Sequence, residues 1–96
     1  MPVHVVIKRK MIISHPEKLT PLLRNLGERA KLQEGYISTD TLQNIDDPGE
    51  YLVVSRWETE ENWKVWFQSQ ERRDLQGKVD SLIGERTGYE IFKPVI

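Results

Sequence analysis

Three tryptophans, Trp57, Trp63 and Trp66, lie within ten positions of one another and are all the tryptophans of the chain. An indole ring is large, flat and mostly apolar, but its N–H group needs an acceptor when it is buried. Burial of one aromatic side chain contributes roughly 4–6 kcal/mol at about 25 cal/mol per Å². We therefore expect all three rings to be buried, either as core or as the walls of a pocket for a flat ligand.

The spacing of these residues predicts that they border a single space. Trp63, Trp66 and Phe67 share one face of a helix, at positions i, i+3 and i+4. Alternate residues of the preceding strand point to one face of its sheet, and a short turn joins that strand to the helix. The candidate substrate-binding residues are therefore Val53, Ser55, Trp57, Trp63, Trp66 and Phe67.

Other patterns typical of catalytic sites are missing from the sequence. The chain has no cysteine, which excludes disulfides and thiolate chemistry and is typical of a reducing cytoplasm. Its two histidines, His4 and His15, are separated in the sequence and predict no metal site. There is no phosphate-binding loop, nucleophile motif or carboxylate pair, so the catalytic residues stay unknown.

Several charged and aromatic residues favour structural interpretations. The basic run at residues 8–10 is expected to be solvated at a strand end, although Arg9 interrupts an otherwise apolar alternation. Arg72 or Arg73 is a candidate to reach the pocket mouth and attract an anionic substrate. Tyr89 is expected in the core or at an interface.

Length and charge narrow the class of protein. The 96 residues predict a single domain spanning residues 1–96. Fourteen Lys and Arg against fifteen Asp and Glu give a net charge of -1, which argues against nucleic-acid and anionic-membrane partners. No apolar segment is long enough to span a membrane, and no signal peptide is expected, so the predicted location is the cytoplasm.

The hydrophobic pattern predicts an α+β fold of the ferredoxin-like β-α-β-β-α-β type, with a four-stranded antiparallel sheet. Val, Leu and Ile residues on the sheet face away from the helices predict a homodimer through sheet faces. The first predicted elements are a strand over 3–13 and a helix that begins near Ser14–Glu17 or at Thr20 and ends before Gly35. Two strands follow, over 36–45 and 50–58, joined by a turn at 46–50. A helix over 60–68 is interrupted near Ser69 and continues to about Leu82, and a last strand lies within 84–95.

The order of elements, the "RWETEENW" stretch after the third strand and the "EGY" step before the second resemble the antibiotic biosynthesis monooxygenase family. The resemblance covers nearly the whole chain, and its motif falls on Trp57, Thr59 and Trp63. Members are small dimeric α+β barrels. The resemblance implies a homodimer that uses O2 on a small aromatic molecule.

Members that oxygenate anthrones without a cofactor are similar at Trp57 and Trp63. They have an asparagine where this chain has Val53, and an arginine near Gln76–Gly77. Haem-degrading members have an asparagine on strand one and a histidine at the position of Gln76. This sequence has neither, although Trp66 matches the helix tryptophan of those members, so haem degradation is the less favoured, third alternative.

We therefore expect a cofactor-independent monooxygenase that acts on a small aromatic or quinol-like compound. The tryptophans would supply stacking walls and indole donors, and Ser55 would orient a hydroxyl group. The alternative is a non-catalytic ligand-binding or stress-response dimer with the same pocket. A base within reach of the ligand favours catalysis, whereas a wholly apolar cavity favours binding or plain core.

Overall fold

Four antiparallel strands and three helices make up the part of the chain that the computed structural model describes, residues 2–10, 16–83 and 88–96. The order of elements agrees with the predicted ferredoxin-like plait, and the α+β class is confirmed. The elements are β1 (Val3–Lys10), α1 (Pro16–Ala30), β2 (Tyr36–Gln43), β3 (Glu50–Trp57), α2 (Glu60–Gln68), α3 (Gln70–Ile83) and β4 (Glu90–Phe92).

The sheet has the strand order β2-β3-β1-β4, so β1 and β3 are its two inner strands. All three pairs are antiparallel, and Val5 lies opposite both Ser55 and Ile91. Residues of equal parity on neighbouring strands therefore share a face. The predicted turn after β2 is present, where the Asn44 N–H donates to the carbonyl of Glu50.

The break between the second and third helices is confirmed at Ser69, whose backbone is extended. Its hydroxyl donates to the carbonyl of Trp66 at 2.7 Å and accepts from the N–H of Arg72 at 3.2 Å. The same side chain thus ends α2 and begins α3. Thr59 caps the start of α2 by accepting from the Asn62 N–H at 3.0 Å.

The first helix begins at Pro16 and continues through Pro21, so it does not begin at Thr20. Pro21 lacks a backbone N–H and removes one helical hydrogen bond, but the helix continues to Ala30. Ser14 lies outside the described residues, as do the predicted strand positions 11–13.

Gly35 ends the turn after α1 in the left-handed region, with φ of 82°. A Cβ at this position would overlap the side chain of Asn62. The Gly35 carbonyl also accepts from the Glu58 N–H at 2.7 Å. Glycine is therefore required here both for the backbone conformation and for the close approach of the turn that leads into α2.

Arg9 is buried, at 7% exposure, and points to the helix-covered face of the sheet. Lys8 and Lys10 are exposed, as expected of a solvated run. The expectation was wrong for Arg9, because it has the same parity as Val3 and Val5, and α3 and Tyr89 close over its end of the strand.

The other face of the sheet is only partly covered, and two of its apolar side chains, Leu42 and Phe92, are each 51% exposed. Val6, Val54 and Leu52 lie between them at intermediate exposure. The predicted pairing of two copies through this face stays a prediction. None of the described helices combines the length and the apolar character needed to cross a bilayer.

Candidate functional site

A partly enclosed cavity of about 180 Å³ lies between the sheet and the helices. All three helices and the two inner strands contribute to its walls, together with β2 and the residue preceding β4. Its lining residues are Ile7, Arg9, Leu23, Leu26, Gly27, Ala30, Thr39, Thr41, Val53, Ser55, Trp57, Trp63, Trp66, Arg72, Gln76 and Tyr89.

Five of the six predicted substrate-binding residues line this cavity: Val53, Ser55, Trp57, Trp63 and Trp66. Phe67 does not. Its ring packs behind that of Trp63, with centroids 4.8 Å apart. The strand parity and helix spacing thus bring the tryptophans together, while ligand binding by these residues stays a prediction.

Trp57 is both core and wall, since it is 1% exposed and lines the cavity. Its indole N–H donates to the Ser55 hydroxyl at 3.2 Å. The Tyr36 ring meets it edge-on at 5.5 Å. Because Ser55 already accepts the indole proton, Trp57 offers a ligand its ring face rather than a free donor.

Arg72 closes the end of the cavity near α3 by stacking on two aromatic rings. Its guanidinium carbon lies 4.2 Å from the centroid of Phe67 and 5.1 Å from that of Tyr89. It also donates to the Phe67 carbonyl at 2.8 Å and to the Tyr89 hydroxyl. These contacts hold Arg72 in place although it is buried and cationic.

The Tyr89 hydroxyl links two polar residues of α3. It accepts from Arg72 and donates to Gln76 Oε1 at 3.1 Å. Gln76 Nε2 in turn donates to Asp80 Oδ1 at 2.9 Å. Arg72, Gln76 and Val79 are the buried face of α3, spaced i, i+4 and i+7. A helix that buries two polar side chains, each in a hydrogen-bonded chain, has a polar rather than a purely hydrophobic contact with the core.

Arg9 is the least satisfied polar group of the site. Its Nε and Nη1 atoms are buried and have no hydrogen-bond partner among the described residues. Burial lowers the pKa of the Arg9 guanidinium below its ordinary value, and the charge of Arg72 lowers this pKa further, while Tyr89 and Asp80 raise it. Arginine nonetheless stays protonated in proteins. The cavity therefore contains a buried cation with unused donors.

The cavity is neither wholly apolar nor supplied with an obvious base. No carboxylate and no imidazole is among the described lining residues, and its ionisable groups are Arg9, Arg72 and Tyr89. His4 lies opposite Arg56 and Phe92 on the other face of the sheet, and His15 is outside the described residues.

Sequence reasoning missed Arg9, Gln76 and Tyr89 as parts of the cavity. The signal for Arg9 was present, because a charged residue interrupted the apolar parity of β1. Gln76 gave a weaker signal, as a polar residue at a position that turns toward the sheet. Of the two candidates for the pocket mouth, Arg72 lines the cavity and Arg73 does not. Tyr89 gave none, because its position depends on how β4 pairs with β1.

Comparison with known proteins identifies relatives by sequence. Residues 2–78 match the sequence profile of the family described as antibiotic biosynthesis monooxygenase. A curated protein from Halalkalibacterium halodurans, a heme-degrading monooxygenase, is 31% identical over 71 residues, which are 72% of this chain. The match spans 60% of the length of that relative.

Solved structures share the fold at low sequence identity. SnoaB, a cofactor-independent oxygenase from Streptomyces nogalater, is 12% identical with a TM-score of 0.85, over 99% of this chain and 94% of its own. A conserved protein from Methanosarcina mazei Go1 is 17% identical with a TM-score of 0.86, over 97% of this chain and 92% of its own. These likenesses support the observed architecture.

Proposed function

The chain belongs to the antibiotic biosynthesis monooxygenase family, and we propose that it is a cofactor-independent monooxygenase of a small phenol or quinol. The observation that carries this proposal is the cavity between sheet and helices. Three indole rings form its walls and cationic donors form one end. Flat aromatic walls with a few polar groups suit a flat ligand that carries an oxygen substituent.

The size of the cavity restricts the substrate. A cavity of about 150 Å³ holds one benzene ring, and this cavity measures about 180 Å³. A single substituted ring therefore fits within the described walls, whereas a three-ring anthrone would extend out through the open side of the cavity. The proposal thus favours one-ring phenols and hydroquinones over the polyketide anthrones.

The chemistry needs no reductant from the protein. A phenol with a free para position reacts with O2 to give a quinone and water, so that one oxygen atom enters the ring and the other leaves as water. A hydroquinone, whose para position already carries oxygen, takes the oxygen atom at a free ring carbon and gives a hydroxyquinone and water. The substrate supplies every electron that reduces O2. The protein's contribution is to hold the ring in an enclosed site and to stabilise negative charge on its oxygen through Arg9.

Haem degradation, the activity of the curated relative, is not supported by the cavity. A porphyrin has four pyrrole rings and needs several times the volume that one benzene ring occupies. Gln76 lines the cavity and no described lining residue is a histidine, so no imidazole is placed to bind haem iron. The described residues do not fit haem.

The proposal includes a homodimer formed through the outer face of the sheet. The exposed Leu42 and Phe92 side chains on that face support it, since a second copy would remove both from water. Sedimentation equilibrium checks this: a mass twice that of the chain at micromolar concentration is expected, and a single-chain mass at all concentrations contradicts it.

The test of function is oxygen consumption by the purified, metal-free protein with one-ring hydroquinones and phenols, a two-ring naphthol and a three-ring anthrone. We expect uptake above that of buffer and of heat-denatured protein, greatest for the one-ring compounds. Quinone formation, followed by absorbance, should match O2 consumption mole for mole. Uptake no faster than buffer across the panel would favour the non-catalytic ligand-binding dimer.

A further inference from the structure

The buried guanidinium of Arg9, with two N–H donors that have no partner among the described residues, requires an explanation that folding does not supply. A buried charge is strongly unfavourable unless an opposite charge and hydrogen bonds compensate it. Arg9 Nε and Nη1 have neither water access nor a hydrogen-bond partner, Asp80 included, among the described residues. Burial lowers the pKa of Arg9 most, Tyr89 and Asp80 offset this only in part, and the cation of Arg72 lowers this pKa further. Native proteins satisfy nearly all buried polar groups, so an orphan of this kind marks a functional position.

Three other arginines of the described chain, Arg29, Arg56 and Arg72, show what a structural arginine looks like here. Arg56 pairs with Asp40 at 2.9 Å on the outer face of the sheet, and Arg29 pairs with Glu71 at 3.2 Å. Arg72 is buried but donates to Phe67 and Tyr89 and stacks on both rings. Only the guanidinium of Arg9 has unused buried donors in the described part of the chain.

Arg9 lines the cavity with the three tryptophans, which brings its guanidinium beside any ligand held there. A guanidinium is planar and binds an anionic oxygen group through N–H donors on its edges. The cavity thus combines flat apolar walls with a cationic end. That combination suits an aromatic ring bearing one negatively charged oxygen substituent.

We propose that Arg9 is an anion-binding residue and that the cavity takes its aromatic ligand in the ionised form, with the anionic oxygen against the Arg9 guanidinium. For a phenol, the O–H bond breaks on binding, the electron pair stays on oxygen and the proton passes to solvent. Arg9 is protonated before and after. That the ligand is a phenol rests on the proposed function. An aryl carboxylate also presents a negatively charged oxygen on an aromatic ring, so Arg9 would bind it in the same way.

This assignment accounts for the absence of a carboxylate or imidazole base among the described lining residues. Bulk solvent takes the proton, and the buried cation shifts the ionisation equilibrium of the bound phenol toward its anion. The apparent affinity for the phenol therefore rises with pH up to the pKa of the free phenol and is constant above it. Below the pKa of the bound phenol, only the weak binding of the neutral form remains.

The test uses a nitrophenol, whose ionised and neutral forms absorb at different wavelengths, titrated in excess protein. We expect the pKa of the bound nitrophenol to fall by about one unit or more, equivalent to at least about tenfold preference for the anion. The ether of the same nitrophenol is the neutral comparison, followed by quenching of tryptophan fluorescence. A second arm compares benzoate with benzamide and identifies which kind of anionic oxygen the site prefers.

Arg9→Met keeps the length of the side chain and removes its charge and donors. It should remove the pKa shift and weaken binding of the anions by at least about tenfold, while affinity for the neutral ether is unchanged. Arg56→Met, on the other face of the sheet, is the matched control and should bind as the wild type does. Since Arg9→Met removes a buried charge whose Nε and Nη1 donors have no hydrogen-bond partner among the described residues, its midpoint in urea should be no lower than that of the wild type.

Equal affinity of the wild type for the charged and neutral member of both pairs would overturn the proposal, without reference to any variant. A lower urea midpoint for Arg9→Met would assign Arg9 to the fold and overturn it also. Arg9→Lys, which keeps the charge but loses the planar donors, should retain part of the anion preference. Anion binding without oxygen uptake would support this inference and reject the monooxygenase proposal. Oxygen uptake without a preference for the anion would support the monooxygenase and reject this inference.

Discussion

Replacing Gly27 with leucine is expected to abolish ligand binding and oxygen uptake while leaving the protein at least as stable as the wild type. Gly27 lies on α1 between Leu23 and Ala30, and all three line the cavity from the same helix face. A Cβ at Gly27 meets no atom within 4 Å. The leucine side chain therefore enters open space and occupies much of a cavity of about 180 Å³.

Helix propensity makes this variant favourable for folding. Glycine inside a helix is about 0.8–1.0 kcal/mol less favourable than alanine, and leucine is close to alanine. Urea unfolding should therefore show an unchanged or higher free energy of unfolding. Oxygen uptake and nitrophenol binding, measured on the same preparation, should fall by at least about tenfold, which corresponds to roughly 1.4 kcal/mol of binding.

Gly77→Leu is the matched control for Gly27→Leu. Gly77 is also inside a helix, α3, and a Cβ there also meets no atom within 4 Å, but Gly77 does not line the cavity. It should gain the same helix propensity and keep its activity. Full activity in Gly27→Leu would show that the substrate binds elsewhere. Equal loss in both variants would indicate a general effect of leucine on the helices.

Trp57→Ala is expected to lower the free energy of unfolding by about 3–5 kcal/mol, the range for deleting a buried tryptophan or phenylalanine ring. Trp57 is 1% exposed and packs against the Tyr36 ring. Its removal would also enlarge an existing cavity, which leaves little opportunity for neighbouring side chains to close the gap. A domain of this size has about 5–15 kcal/mol of stability in total, so much of the variant would unfold on mild heating.

Val65→Ala on α2 is the control for side-chain truncation, because Val65 is 69% exposed and its loss should cost less than about 0.5 kcal/mol. Urea unfolding followed by circular dichroism measures both variants. A cost below about 1 kcal/mol for Trp57→Ala would show that the ring is a replaceable wall rather than core. Since we expect the larger cost, loss of activity in Trp57→Ala cannot separate catalysis from folding, whereas Gly27→Leu can.

The tryptophan cluster was predictable because it depends on local geometry. Residues Ser55 and Trp57 alternate along one strand, and Trp63 and Trp66 are three apart on the next helix. Strand and helix periods decide which side chains share a face. Because the link through Thr59 is short, the helix face that carries the tryptophans packs against the strand face that carries Ser55 and Trp57. The helix break at Ser69 was predictable for the same reason.

The polar end of the cavity was predictable only in part, because Arg72 was a candidate for the pocket mouth whereas Arg9 and Tyr89 were not. Arg9, Arg72 and Tyr89 come from β1, α3 and the residue before β4, which are distant in the chain and meet only when the sheet is complete. Strand parity correctly places Arg9 on the face of Val3 and Val5, but parity does not tell how far along the strand the helices cover that face. Solvation was the reasonable expectation for a charge near a strand end.

Sequence periodicity alone thus specified the α+β order, the helix break and the facing aromatic walls, since each of these follows from contacts between residues close in the chain. The tertiary structure decided that Arg9 Nε and Nη1 are buried without a hydrogen-bond partner among the described residues, that Tyr89 joins Arg72 to Gln76, and that about 180 Å³ stays open beside Gly27. Burial and cavity volume depend on how closely distant elements pack, and hydrophobic periods carry no measure of that distance.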